Sequence, residues 1–158
     1  MEWGLSLLHL KILATGGLAA WLTLAAANNV IDPRTNTHLL SEMMAMAELK
    51  RDAVLGQGLL WRSVSSAALP RAILRLVIAL QIGIVVLLWR AAYLLGFGEH
   101  GAAAVAAANL ALGAFASLWF FFLCGGMWFG YWMKMPQVQQ VHMMLLLVSL
   151  AAMALINI

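Results

Sequence analysis

Charged residues are scarce in this sequence. Of its 158 residues only 9% are Asp, Glu, Lys or Arg, whereas 65% are hydrophobic, and the mean hydropathy is +0.94. A soluble domain carries about 25% charged and roughly 45–50% apolar residues. The composition therefore excludes an ordinary soluble globular protein and predicts an integral membrane protein.

Cysteine is almost absent, and basic residues are only slightly in excess. The single cysteine, Cys124, cannot pair within the chain, which excludes a disulfide-stapled scaffold. Nine Lys and Arg stand against six Asp and Glu, too small an excess for the basic face of a nucleic-acid-binding protein. We therefore expect membrane lipids as partners and no nucleic acid.

Four stretches of the sequence are long and apolar enough to cross a bilayer. A helix that spans the roughly 30 Å hydrocarbon core needs about 20 mainly apolar residues. The stretches that qualify are residues 5–27, 73–95, 102–125 and 138–158. They predict an all-α fold, a single four-span membrane domain over residues 1–158, in which short connections make the last three spans antiparallel neighbours.

The one long polar segment, residues 28–72, joins the first two spans. Within it, apolar residues recur at helical spacing over residues 39–55, which predicts an amphipathic helix at the membrane interface or over the mouth of the bundle. The run Asp-Pro-Arg-Thr-Asn at residues 32–36 has turn chemistry. We expect this run to end the first span.

Small residues recur every four positions in two of the spans. Lipid supplies no hydrophobic drive for helix association, so membrane helices associate through close approach over small side chains and through interhelical hydrogen bonds. The stripes predict packing faces at Thr15, Ala19, Thr23 and Ala27 in the first span and at Asn109, Gly113 and Ser117 in the third.

Polar residues within the spans are candidates for function, because burying them in a bilayer is costly. No Asp or Glu lies within a predicted span, which argues against a proton-coupled transporter. Two interpretations of the remaining polar residues stay open. In the first, these side chains form hydrogen bonds to one another or to the backbone: Gln81, Asn109, Ser149 and Asn157. In the second, a polar path through the bundle is lined by Gln81, Asn109 and Ser117.

Neither a cofactor site nor a catalytic constellation is evident in the sequence. Two histidine pairs lie at similar predicted depth, His9 with His100 and His38 with His142, but neither has the spacing of a haem or metal site. Cys124 has no basic neighbour in the sequence that would activate it. We therefore expect no cofactor, no metal and no enzymatic activity.

Several short motifs follow one another in a defined order. They are Asn28-Asn29 with Asp32 and Asn36, then Met46, then Trp61-Arg62, then Gly125-Gly126 with Trp128-Phe129 and Trp132. The chain resembles the uncharacterised bacterial family of small integral membrane proteins called domain of unknown function 2165. The resemblance lies in the order of these motifs, in the length of the chain and in its four-span layout. The resemblance implies a multi-pass protein of the bacterial inner membrane and brings no activity or catalytic residue with it.

Three positions depart from the pattern of that family. Its members have a Glu in the middle of span two and another in a Gly-Gly-Glu-Trp-Phe motif, where this chain has Gln81 and Met127. Glu42 replaces a family His before the loop methionine. Any proton-linked or cation-binding chemistry based on the family's acids is therefore expected to be missing here.

The charge distribution and the family resemblance predict opposite orientations in the membrane. Most Lys and Arg lie on the side of the long loop, and the positive-inside rule then places that loop in the cytoplasm. The family has a basic connection between spans two and three, here the nearly neutral residues 96–101, and so implies cytoplasmic termini. We follow the resemblance and predict cytoplasmic termini.

The leading functional hypothesis is a non-catalytic accessory subunit of a larger bacterial inner-membrane complex, such as an oxidoreductase or energy-converting assembly, with other integral subunits as partners. Its predicted interfacial and packing residues are Trp61, Arg62, Trp128, Phe129, Trp132, Asn28, Asn29, Asp32 and Asn36. Arg62 is expected to pair with Asp32 or to stack on a tryptophan. The alternative hypothesis is a small channel, transporter or lipid-binding membrane protein.

Overall fold

The computed structural model describes residues 2–98 and 101–158, with side chains from residue 6 onward. Within these residues every assigned element is helical: α1 Glu2–Ile31, α2 Pro33–Met44, α3 Ala47–Lys50, α4 Ala68–Phe97, α5 Ala102–Trp128 and α6 Pro136–Ile156, with 3-10 helices at Gln57–Arg62 and Tyr131–Met133. Four of them, α1, α4, α5 and α6, are long and apolar enough to cross a membrane. The predicted all-α membrane bundle is confirmed. His100, and with it the His9–His100 pair, lies outside the described residues.

Two of the spanning helices extend further toward the long loop than predicted. The predicted first span stops at residue 27, but α1 continues to Ile31, and the Asn28 carbonyl still accepts a hydrogen bond from Asp32 N at 2.9 Å. α4 begins at Ala68 and not at residue 73, because Ser66 Oγ accepts hydrogen bonds from the first free N–H groups of the helix. Hydropathy alone does not detect these polar helix ends.

The amphipathic helix of the loop lies earlier than residues 39–55, so that prediction is wrong in its bounds. Pro33 takes the first helical position of α2, where its missing N–H is not needed, and Asp32 Oδ1 caps the helix by accepting a hydrogen bond from Thr35 N at 3.3 Å. The helix breaks before Met46, whose φ of 53° is left-handed. The run at residues 32–36 therefore begins a helix and does not form a turn.

The buried face of α5 changes in character along the helix. Its first half buries alanines, and its second half buries large aromatic side chains: Ala104, Ala107, Ala108 and Ala111, then Phe115 and Trp119. Alanine allows neighbouring backbones to approach closely. At the alanine end, Lys11 Nζ donates to the Ile156 carbonyl at 3.0 Å and joins α1 to α6.

The predicted packing stripes are confirmed at Thr15 and Ala19 on α1 and at Asn109 on α5, whose side chain bonds to Asn157 after α6, and the prediction is wrong at Ser117. Thr15 and Ala19 are both fully buried. Ser117, in contrast, is exposed, and its hydroxyl donates only to the Gly113 carbonyl of its own helix at 2.8 Å. The reason is that a different face of α5, which begins with the four buried alanines, forms most of its contact surface.

The segment after α2 folds over the connection between α5 and α6. Leu49, 3% exposed, packs against Gly56 and Gly130, which have φ angles of 69° and 67°. A Cβ atom on Gly56 would lie 3.1 Å from both Leu49 methyl carbons, and one on Gly130 would lie 2.7 Å from Met133 Cε and 3.0 Å from Leu49 Cδ1. Both glycines are therefore needed for their backbone conformation and for the space that Leu49 fills.

An ion pair holds the same two segments together. Asp52 Oδ2 accepts a hydrogen bond from Lys134 Nζ at 2.6 Å, and Asp52 Oδ1 accepts from the backbone N–H groups of Val54 and Leu55 at 2.8 Å each. The hydrogen bond from Lys134, followed by those from the backbone, holds the pKa of Asp52 well below its usual value. Asp52 thus connects the long loop to the α5–α6 connection.

Replacing Ala111, which is fully buried on α5, by Leu should destabilise the bundle by about 1–3 kcal/mol, because the extra methylene groups have no space. The measurement is thermal unfolding in detergent, followed by intrinsic tryptophan fluorescence. Ala106→Leu on the exposed side of the same helix is the matched control and should leave the midpoint nearly unchanged. Equal midpoints for the two variants would contradict the alanine packing face.

The Asp52–Lys134 pair should make stability depend on pH in acid. Because the folded-state pKa of Asp52 is lowered, its contribution is fully present above pH about 4 and is lost as the pH falls through the lowered pKa. Thermal midpoints of wild type and Asp52→Asn, measured from pH 6 downward, should therefore converge in acid. Lys134→Gln should resemble Asp52→Asn, and the double variant should add little. Midpoints that stay separated at the lowest pH would argue against the pair.

Candidate functional site

A cavity of about 440 Å³ lies at the loop end of the bundle, beyond the aromatic half of α5. We call it the apolar cavity, since most of its lining side chains are aliphatic, aromatic or Met. All four spanning helices and α2 contribute to its wall. Its volume falls in the range of roughly 300–1,000 Å³ that is usual for small-molecule sites. The polar or titratable side chains in its wall are Asn29, Asn36, Gln81, Tyr131 and His142.

Three amide side chains form a hydrogen-bonded chain on one side of this cavity. Asn36 Nδ2 donates to Asn29 Oδ1, and Asn29 Nδ2 donates to Gln81 Oε1 at 2.8 Å, so that the chain links α2, α1 and α4. Asn29 and Gln81 are 8% and 4% exposed. Gln81 Nε2 makes no hydrogen bond to any described residue, which leaves one donor at the end of the chain.

Three aromatic side chains form a stack beside the cavity. The His142 ring stacks on Trp119 and on Tyr131, with centroid distances of 5.7 Å and 6.1 Å and interplanar angles of 29° and 23°. Phe122 packs on the same histidine, with centroids 5.1 Å apart. We call Trp119, His142 and Tyr131 the aromatic stack; its members come from α5, α6 and the 3-10 turn between them.

Each member of the aromatic stack carries a buried polar atom without a hydrogen-bond partner. These atoms are Trp119 Nε1, His142 Nδ1 and the Tyr131 hydroxyl. A buried donor or acceptor without a partner costs about 1–3 kcal/mol, and most such atoms in folded proteins are paired. Burial also raises the pKa of Tyr131, which keeps the phenol neutral and able to donate. Three of the buried polar atoms without a partner among the described residues are thus concentrated in this one stack.

Gly126 explains how Tyr131 reaches its buried position. A Cβ atom on Gly126 would overlap the ring of Tyr131, which packs directly on the glycine backbone. Gly125, the other member of the pair, has open space at the same place. The aromatic stack therefore requires glycine at position 126 but not at position 125.

A second cavity, of about 290 Å³, adjoins the first under α2 and α3. We call it the polar cavity, because His38, Glu42, Glu48 and Lys134 line it. The two cavities share five lining residues: Leu39, Met43, Phe129, Tyr131 and Met135.

The predicted interfacial cluster forms in part. The Arg62 guanidinium carbon lies 5.2 Å from the ring centroid of Trp61 and 4.6 Å from that of Trp128, and Nη1 donates to the Trp128 carbonyl at 3.3 Å. Arg62 thus stacks on tryptophan, whereas Asp32 accepts its hydrogen bonds from Thr35. Two predicted members lie elsewhere: Phe129 lines both cavities, and Trp132 is 44% exposed.

The three residues of the predicted polar path do not converge. Gln81 lies at the apolar cavity, whereas Asn109 exchanges two hydrogen bonds, of 3.0 Å and 2.9 Å, with Asn157 at the opposite end of the bundle. Ser117 is exposed on α5, and Ser149 donates to its own helix. The polar residues of the spans are thus bonded in separate places, as the other interpretation predicted.

Sequence reasoning missed the aromatic stack, although one signal for it was present. His142 is the only titratable residue in α6, and an imidazole within an apolar span needs a local explanation. Its interpretation as one of a histidine pair finds no support in the geometry, because His38 lies on α2 at the polar cavity. Among the side chains of residues 6–98 and 101–158, no three His, Cys, Asp or Glu are grouped as a metal site requires.

The family model described as predicted small integral membrane protein (DUF2165) matches residues 7–158. The chain belongs to this family. No curated protein and no solved structure matches it. In this DUF2165 protein, many of the motif residues that carried the resemblance line the two cavities: Asn29, Asn36, Met46, Gly125, Gly126 and Phe129.

Gly126→Ala should displace the Tyr131 ring and lower the stability of the DUF2165 protein, because the new methyl group occupies the position of that ring. Gly125→Ala is the matched control and should be neutral or stabilising by up to about 1 kcal/mol, since alanine is the better helix former and meets no atom there. Thermal unfolding in detergent checks both. A Gly126 variant as stable as the Gly125 variant would contradict the packing of Tyr131.

Proposed function

We propose that this membrane protein binds an amphiphilic molecule, a lipid or a lipid-like compound, in the apolar cavity. The observation that carries the proposal is the coincidence of an apolar cavity of about 440 Å³ with three buried, unpartnered polar atoms in the aromatic stack beside it. Apolar walls with a few placed polar groups are the usual composition of small-molecule sites.

The chemistry of the polar atoms specifies one feature of the ligand. Tyr131 and Gln81 line the cavity, and the Tyr131 hydroxyl and the free Gln81 Nε2 are donors; the indole N–H of Trp119 is a further donor in the adjoining stack. The ligand therefore carries at least one acceptor oxygen, such as a carbonyl or an ester, on an apolar body. A hydrocarbon without such an oxygen would leave the donors unpaired.

Access to the cavity is available from the surface of the bundle. Leu39, Phe121 and Val138 line the cavity and are 49%, 47% and 36% exposed. An amphiphile that is already dissolved in the bilayer can reach an opening of this kind without crossing water. This feature favours a lipid-like ligand over a water-soluble metabolite.

A second candidate, the accessory-subunit role expected from the sequence, is favoured by the surface at Arg62. Trp61 and Trp128 are 72% and 49% exposed on either side of its guanidinium, and Trp and Arg are residue types enriched at protein interfaces. In this candidate function the chain is a non-catalytic subunit of a bacterial inner-membrane complex. For both candidates we place the protein in that membrane with cytoplasmic termini.

Gentle extraction of the tagged protein, followed by size analysis and mass spectrometry of proteins and lipids, tests the proposal. We expect a near-stoichiometric amphiphile with the wild type and its loss in Val77→Trp, which fills the cavity from α4. Val86→Trp, on the exposed side of the same helix, is the matched control and should keep the amphiphile.

The same preparation separates the two candidate functions. Retention of the amphiphile by Val77→Trp, or its absence from the wild type, would contradict binding in the cavity. Recovery of larger subunits that are released by Trp61→Ala and Trp128→Ala would instead support the accessory role. Recovery of the chain alone, with its amphiphile, would count against that role.

A further inference from the structure

The two cavities together have the shape that an amphiphile requires. They adjoin along five shared lining residues, among them Tyr131, which is 3% exposed and has an unpartnered hydroxyl. The first has mainly apolar walls, and the wall of the second includes His38, Glu42, Glu48 and Lys134. The polar cavity is therefore the nearest place for the headgroup of a molecule whose chain occupies the apolar cavity.

The charges of the polar cavity are compensated except at one residue. Lys134 is paired with Asp52, and Glu48 with Arg51. Glu42 lines the polar cavity half-buried and, among the described residues, has neither a hydrogen bond nor an ion pair. The remaining titratable lining groups are Tyr131, which is buried, and His38, which lies one helical turn before Glu42 on α2 and is exposed.

We propose that the ligand has an ammonium headgroup, which the Glu42 carboxylate binds in the polar cavity. The half-buried ring of Phe129, which lines the same cavity, adds attraction for a cation. This inference rests on the proposed function, because it assigns the headgroup of the amphiphile in the apolar cavity. The ammonium group belongs to an aminophospholipid of the bilayer or to a free long-chain amine.

The uncompensated charge in the polar cavity is opposite in sign to the net charge of the loop side around it. The loop side as a whole carries more Lys and Arg than Asp and Glu, so its long-range field favours anionic headgroups. Within the polar cavity the uncompensated charge is negative. An amphiphile selected by Glu42 is therefore cationic or zwitterionic, against the preference of the face around it.

Native mass spectrometry of the full chain in a maltoside detergent tests this with three probes. The first two are lysophosphatidylethanolamine and lysophosphatidylglycerol with the same acyl chain. Both contain an ester and a phosphate, but only the ethanolamine lipid has an ammonium group. The third, dodecylamine, has an ammonium group and no phosphate. We expect the ethanolamine probe to bind roughly tenfold more tightly than the glycerol probe, as a charge-assisted hydrogen bond provides. Glu42→Gln should remove this difference, whereas Glu48→Gln, whose carboxylate is already paired, should retain it.

The outcomes separate the headgroup inference from the proposed function. Equal binding of the two lysolipids by the wild type, or a difference that survives in Glu42→Gln, overturns the ammonium headgroup while binding in the cavity stands. Binding that Val77→Trp leaves unchanged overturns the cavity itself. Dodecylamine binding that depends on Glu42 supports a free amine as ligand. Dependence on Glu42 for the ethanolamine lysolipid alone supports the aminophospholipid.

Discussion

The change from alanine to aromatic side chains along the buried face of α5 is the constraint on which the rest of the structure depends. Helices in a bilayer associate through packing and polar contacts, so the size of the side chains at the contact decides how completely the space between helices is filled. The alanines from Ala104 to Ala111 are buried and allow close helix packing in one half. Phe115 and Trp119 follow, and the apolar cavity lies beyond them.

The two ends of the bundle are held by different means. At the alanine end, the paired amides of Asn109 and Asn157 and the bond from Lys11 to the Ile156 carbonyl join the helices directly. At the loop end the helices surround a cavity, and the long loop and the α5–α6 connection close over it. The Asp52–Lys134 pair and the stacking of Arg62 on Trp128 hold these two segments together.

A single physical problem links the cavity to the proposed function. Trp119, His142 and Tyr131 pack well as rings, but each has a buried polar atom without a partner, and an apolar cavity alone does not supply one. The amphiphile we propose would meet both requirements, because its chain would fill the cavity and its acceptor oxygen would pair with donors in the wall. By the same argument, the uncompensated carboxylate of Glu42 would pair with a cationic headgroup. The exposed Trp61 and Trp128 surface is separate and is available to a protein partner.

The sequence by itself determined the membrane class, the four spans and two buried positions of α1, Thr15 and Ala19. About 20 consecutive apolar residues and small-residue spacing are local properties of the chain, and bilayer thickness and helix packing select for them. The sequence did not place α2, whose end depends on the left-handed turn at Met46. Nor did it unite Trp119 with His142 or Asn29 with Gln81, although it marked most of these residues singly. Only the tertiary structure decided those pairings, because contacts between residues far apart in the chain depend on how the helices pack and where a glycine such as Gly126 leaves room.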